Sequence, residues 1–479
     1  MKKLHFHLLL FLIALGACNH EINDFETDGL PVVKSSTATN GTIYADINDK
    51  SGAVTHFGAG TYFYSGHLMN GITNTTDAHK WIWEDLGVNT FRIVFRAEDC
   101  EDTNDNNDPD SLNLDGFDFS NSNITDQIAA AKKALQLNPN MKIWAVVLSP
   151  PDYLKTNNSH LGGAATGEDD ATIKYIDGTT EYREFGEFIL AHLKHHKDNG
   201  LEVDYLSIMN EPDVNLDHED CRWYGWQAEK AYDITIDYLK DTLPGYNIQI
   251  PDFAGAEPLN VGWADDYISL INSTDVKLFT THQYGGNSEA NFQQAADSAG
   301  AKPLIMSEWH TGHGMVSDPD ELTAALDLPQ HMISAFRGGA RGWLYFEWGN
   351  SQDNFGGLLK TPWGADAIRR KNYWTFKQFT ENIIGTERVV ATASSLANFS
   401  ASNIMAFAGS NDVYIHVVNW SENWERARVE PGTTFSSIDI WRTSSSEDDK
   451  LIWTATDISR DYYSVDFAPK SFTTIKMSW

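Results

Sequence analysis

The chain has 479 residues, 41% of them hydrophobic and 21% charged, and 67 acidic against 35 basic side chains give a formal net charge of −32. That balance excludes wholesale disorder, and the length suits one large domain with a smaller companion. So negative a field repels phosphate backbones and anionic surfaces, so nucleic acid is not an expected partner.

The first 18 residues read differently from the rest. Lys2 and Lys3 precede the apolar run Leu8–Leu15, which is too short to span a bilayer and suits a secretory signal. The run ends Leu15-Gly16-Ala17-Cys18, which resembles the lipobox of bacterial lipoproteins. The resemblance implies cleavage before Cys18 and a diacylglycerol on its thiol. An exported protein would then be held at the outer membrane, on the cell surface or the periplasmic face. Residues 19–38 carry Asp24, Glu26, Asp28 and Ser35-Ser36-Thr37, and read as a flexible tether. Residues 39–53 contain a strand-like stretch, Gly41–Ile47, that is placed to join a side sheet.

From residue 54 to 384, short apolar runs alternate with longer helical patterns. The expected strands are Val54–Gly60, Val88–Phe95, Lys142–Leu148, Val203–Met209, Asn247–Phe253, Lys277–His282, Pro303–Ser307 and Arg341–Glu347. Between them Ile124, Ile128, Ala131 and Leu135 recur at helical spacing, as do Tyr182, Phe185, Ile189 and Leu193. Near-continuous apolar strands joined by amphipathic helices imply parallel strands buried on both faces, and eight repeats imply a (β/α)8 barrel of the TIM type. Beyond residue 385 the texture becomes β-rich, with Asp412–Asn419, Phe435–Arg442 and Phe472–Met477 separated by polar turns. Residues 385–479 therefore read as an antiparallel β-sandwich, which the N-terminal strand could complete.

In such a barrel the chemistry sits where strands end. The fourth expected strand delivers Asn210-Glu211-Pro212-Asp213, and the seventh delivers Glu308-Trp309-His310. An ionisable group at the mouth of an apolar strand is costly unless paired or used, and two of them on strands four and seven favour use. Glycosidic cleavage needs such a pair, one carboxyl neutral to protonate the leaving oxygen and one ionised to attack the anomeric carbon.

Asn210-Glu211-Pro212 with Glu308 resembles clan A of the retaining glycoside hydrolases, and within it family 30, which holds glucuronoxylanases, β-1,6-glucanases and glucosylceramidases. Ser149-Pro150-Pro151 resembles that family's third loop, and Tyr373–Val390 its last helix and passage into the side sandwich. The resemblance implies hydrolysis of a β-linked, xylan- or glucan-like polysaccharide with retention. It makes Glu211 the acid/base, Glu308 the nucleophile and Asn210 a donor to the sugar 2-hydroxyl. Arg92 and Tyr284 would hydrogen-bond the nucleophile, and His282 and Trp348 would line the cleft. Trp309, Trp348, Trp223 and Trp226 lie near strand ends, where indole rings could stack on sugars.

The Arg369-Arg370-Lys371 triplet falls near the place where family 30 glucuronoxylanases bind glucuronate, but a neutral or sparsely substituted glycan is the expectation. An algal galactan hydrolase of the agarase or porphyranase type and a non-catalytic glycan-binding lipoprotein are the alternatives. The loop Glu98–Asp118 is dense in hard oxygens but lacks the Gly and closing Glu of an EF-hand, so it reads as solvated. Cys100 and Cys221 read as unpaired and buried. With no phosphate loop or dinucleotide fingerprint, no cofactor and no metal are expected, and the protein is expected to act as a monomer.

Overall fold

The computed structural model describes residues 41–479, apart from 61–62, 99, 101–103, 107, 273–274, 313–319 and 353–354. The signal segment, Cys18 and the tether lie outside the described residues.

Each apolar run becomes one strand of a single eight-stranded sheet: β1 (His56–Gly60), β2 (Thr90–Phe95), β3 (Lys142–Val147), β4 (Tyr205–Ser207), β5 (Asp252–Ala254), β6 (Phe279–His282), β7 (Leu304–Glu308) and β8 (Gly342–Tyr345). All its strand pairs are parallel, β1 lies between β8 and β2, and an isolated bridge from Ala254 to Leu278 brings β5 to β6 and completes the circuit. The sheet is therefore a (β/α)8 barrel. A helix follows each strand, from Thr75–Lys80 after β1 to Lys371–Thr380 after β8. Their apolar stripes pack on the outside of the strands, so the strands are buried on both faces, as parallel sheets require. The fifth strand begins later than the apolar pattern suggests, because Leu243–Tyr246 forms a tight 3-10 turn and residues 248–251 join no strand.

Gly349–Asn350, Leu359–Lys360 and Ile368–Arg369 form a small three-stranded sheet, and the remaining strands form two sheets packed around an apolar core of their own, including Ile43, Ile415, Val429 and Ile475. One holds Thr392–Ser394, Gly41–Tyr44, Glu425–Glu430 and Tyr463–Phe467 in that order. The other runs Lys50–Ala53, Glu387–Val389, Ile404–Ala408, Asp412–Asn419, Ser471–Ser478, Ser437–Ser444 and Glu447–Ala455. Both sheets thus contain an N-terminal strand. Gly41–Tyr44 pairs parallel with Glu425–Glu430, the one departure from antiparallel order in this sandwich. The sandwich docks on the barrel through rings: Phe379 stacks on His416 at 4.5 Å, and Phe336 meets Phe407 edge-on at 5.2 Å. Cys100 and Cys221 are both buried, and no disulfide joins them. Among the described residues no helix is long and apolar enough to cross a membrane.

Candidate active site

The C-terminal ends of β2, β4, β5, β6 and β7 converge on a buried group of charged side chains. Glu211 follows β4 in a left-handed backbone conformation, φ 44°, which disfavours any residue with a Cβ. Its backbone N–H donates to the carbonyl of Glu257 at 2.8 Å, and Asn210 forms a parallel bridge to the same residue. Asp213 locks the turn from the other side, its carboxylate accepting the backbone N–H groups of Leu259 at 2.7 Å and Asn260 at 3.0 Å. The Asn-Glu-Pro-Asp sequence therefore fixes the loop after β4 against the loop after β5.

Glu308 ends β7. Its Oε2 accepts from Arg92 Nη1 at 2.6 Å and its Oε1 from the Tyr284 hydroxyl at 3.1 Å. Arg92, on β2, spreads its other nitrogen between Glu257 Oε2 at 2.8 Å and Asn210 Oδ1 at 3.1 Å. Glu257 is fully buried and also accepts from Ser307 Oγ at 2.9 Å. Burial alone would raise its pKa, but Arg92 and His282 outweigh burial and hold it at about 2.

His282 ends β6 and bridges two carboxylates, with Nδ1 2.8 Å from Glu211 Oε1 and Nε2 3.1 Å from Glu257 Oε2. Burial opposes a charge on the ring, yet Glu308, Glu211 and Glu257 together push it up to about 10. At neutral pH both ring nitrogens therefore carry protons and both donate. The Tyr284 hydroxyl is held well above its ordinary pKa, by burial first and then by Glu308 and Glu211, so it stays a donor.

One oxygen of Glu211, one oxygen of Glu308 and one nitrogen of His282 all lie within 4.8 Å of one another. Such spacing is also open to a cation, but His282 spends both nitrogens on carboxylates and Glu308 spends both oxygens on Arg92 and Tyr284. The donors and acceptors are arranged for moving a proton and holding a negative charge.

Residues 84–249, which carry β2 to β4 and Glu211, match the model described as the glycosyl hydrolase family 30 TIM-barrel domain. That match spans part of the barrel, about a third of the chain. The fold agrees over nearly the whole molecule. The catalytic domain of a family 30 xylanase C from Talaromyces cellulolyticus has 17% identity and a TM-score of 0.71, covering 91% of this chain and 100% of that one. A family 30 subfamily 8 xylanase from Clostridium acetobutylicum has 19% identity and a TM-score of 0.68, with coverage of 91% and 100%. An endo-β-1,6-glucanase has 14% identity and a TM-score of 0.65, with coverage of 92% and 96%. At these identities the likeness is one of fold. No curated protein matches the sequence.

Within this barrel Glu211, Glu308, Asn210, Arg92, His282 and Tyr284 meet in one network. The two tryptophans expected to line the cleft do not present a ring to it. Trp309 is 0% exposed, stacked on His331 at 4.2 Å and set against Trp343 at 5.9 Å. Trp348 is also 0% exposed and belongs to the core. The side chain alternates along a strand, so when Glu308 points into the barrel mouth its neighbour Trp309 points outward into the helix layer. Trp223 is buried against Phe185, whereas Trp226 is exposed and meets Tyr175 edge-on. Phe346 is half-buried, close to Gly60 at the end of β1 and 6.1 Å from the exposed Phe63. Glu257 and Glu347 were not anticipated. Glu347 is buried and accepts the backbone N–H of Phe63 at 3.1 Å. Burial drives its pKa well up, a backbone hydrogen bond opposes this, and the charge of Glu308 adds to the rise. The signal for Glu257 was present in Phe253-Ala254-Gly255-Ala256-Glu257, an ionisable group closing an apolar strand.

Proposed function

We propose that this family 30 barrel hydrolyses a β-linked polysaccharide of xylan or glucan type by double displacement with net retention. Glu308 attacks the anomeric carbon while Glu211 donates its proton to the leaving oxygen. Water, deprotonated by Glu211, then releases the sugar from Glu308. The observation that carries this reading is the approach of Glu211 and Glu308 oxygens within 4.8 Å. Retaining enzymes hold their carboxyls about 5–5.5 Å apart, with no room for an intervening water.

The network supports each role. Arg92 and Tyr284 donate to both oxygens of Glu308 and hold its carboxylate in place for attack. His282 engages Glu211 Oε1, leaving Oε2 for proton transfer. Asn210 is fixed by Arg92 beside Glu211, where its amide can meet a sugar hydroxyl.

A neutral or sparsely substituted glycan fits the charges best. Arg369 stacks between Trp81 at 4.6 Å and Trp374 at 4.3 Å, Arg370 is buried and donates to the Gln352 carbonyl at 2.6 Å, and Lys371 pairs with Asp448 at 2.7 Å. The basic triplet is thus spent within the fold. The xylanase and glucanase relatives point to xylan and β-glucan as the first substrates to try. We further propose that the enzyme acts as a monomer, exported and anchored to the outer membrane through lipid on Cys18.

The deciding experiment follows products by NMR on xylan, glucuronoxylan, β-1,6-glucan and agarose. A β-anomer formed first from xylan or glucan is the expected result. An α-anomer formed first overturns retention, product from agarose alone overturns the substrate class, and binding without product on any of them favours a binding protein.

A further inference from the structure

The loop after β2 meets the helix Thr180–Asp198 at three carboxylates that the catalytic network does not use. Glu184 and Glu187 stand three residues apart and so share one face of that helix. Asp105, from the loop, completes the group. One oxygen from each of the three lies within 4.8 Å of the others.

Burial without partners sets this cluster apart from an ordinary acidic surface. Glu187 is 1% exposed and Glu184 4% exposed. Neither Glu187 oxygen has a hydrogen-bond partner, nor has Glu184 Oε2 or Asp105 Oδ1. Arg183, the nearest cation along the helix, turns to Asp110 instead. Buried carboxylates are paired, protonated or bound to a metal, because an isolated charge is expelled from a low-dielectric interior. The loop also aims Asp105 inward. Its Oδ2 is held by Asn106 Nδ2 at 2.8 Å and by the backbone N–H of Asn113 at 2.9 Å. A Cβ at Gly116 would collide with Asp105 Cβ, so the loop closes tightly over this residue. The Tyr238 hydroxyl, donating to the Pro109 carbonyl at 2.8 Å, ties the same loop to the next helix.

We propose that Asp105, Glu184 and Glu187 bind one calcium ion, which fastens the loop after β2 to the barrel's helical layer. An all-oxygen, all-carboxylate set suits a hard cation and gives no foothold to metals that favour imidazole or thiolate. Calcium fits better than magnesium, because magnesium gives up its waters reluctantly and these ligands are buried. The ligands come from two distant parts of the chain, so no EF-hand pattern announces them.

The test uses the full chain, stripped with a chelator and then freed of it, titrated with calcium or magnesium chloride by calorimetry and followed by thermal unfolding. About one calcium should bind per chain, and Tm should rise by a few degrees at ~1 mM calcium, while magnesium does less. Glu187→Gln, and independently Asp105→Asn on the half-buried loop, should each weaken calcium binding at least about tenfold, at ~1.4 kcal/mol per factor of ten. Glu308→Gln should bind calcium like the parent. No calcium uptake by the stripped parent overturns the proposal, as do parent-like binding in both Glu187→Gln and Asp105→Asn, a response to magnesium alone, or loss of binding in Glu308→Gln.

Discussion

The guanidinium of Arg92 joins Glu308 to Glu257, donating at 2.6 Å to the first and 2.8 Å to the second. Glu257 itself is 0% exposed and cannot reach substrate. Its place is behind the reacting pair, where it holds both Arg92 and His282. Glu257→Gln should lower kcat by about 10–100-fold with a smaller change in KM, since a loosened Arg92 misplaces Glu308 in the transition state. It should also lower Tm, because two buried cations lose a counter-ion. Steady-state kinetics and thermal unfolding of the variant check this; a parent-like kcat would make Glu257 a purely structural residue.

Glu308→Ala should cut kcat by about 10⁴ or more while leaving glycan binding largely intact, because the nucleophile acts in the transition state. Azide should restore part of the turnover and give a glycosyl azide, the small anion taking the vacated space. Turnover by Glu308→Ala without added anion would remove Glu308 from the mechanism.

For Glu211→Gln the loss depends on the leaving group. Activity on polysaccharide should fall about 10²–10⁴-fold, whereas the first step on aryl glycosides with acidic phenols should be much less affected. Kinetics on an aryl glycoside series measure this directly. Equal loss across the series would mean that Glu211 does not act as the acid.

Stability should depend on pH through His282 and Glu257 in opposite directions. His282 has a folded pKa of about 10, above the ordinary imidazole value of about 6.5, so its contribution is complete below ~6.5 and is lost as pH rises through about 10. Glu257 is held at about 2, so its contribution is present above ~4.5 and is lost as pH falls towards 2. Tm should therefore decline between about pH 7 and 10, and His282→Asn should flatten that decline. An unchanged slope in the variant would place the alkaline loss elsewhere.

The aromatic rings give a further contrast. Phe346→Ala should raise KM with little loss of Tm, because this ring is half-buried and follows β8 at the C-terminal face of the barrel, beside Gly60. Trp309→Ala should instead destabilise by about 3–5 kcal/mol, because its buried indole fills the space between His331 and Trp343. Binding and unfolding measurements on the pair separate the two roles.

The sequence by itself determined the barrel and its two facing glutamates. Strands buried on both faces need unbroken apolar runs, and a carboxylate closing such a run has few purposes, so Glu211 and Glu308 are visible as local pattern. Only the tertiary structure decided which other residues join them. Trp309 follows Glu308 directly, yet strand alternation turns it away from the mouth and into the core. Glu257 lies just beyond a strand of only three residues, and its importance comes from Arg92 and His282, which reach it from different parts of the chain. The same holds for Asp105 with Glu184 and Glu187. Periodicity records what each element does with its own faces; pairing between elements depends on how the closed barrel sets their ends against one another.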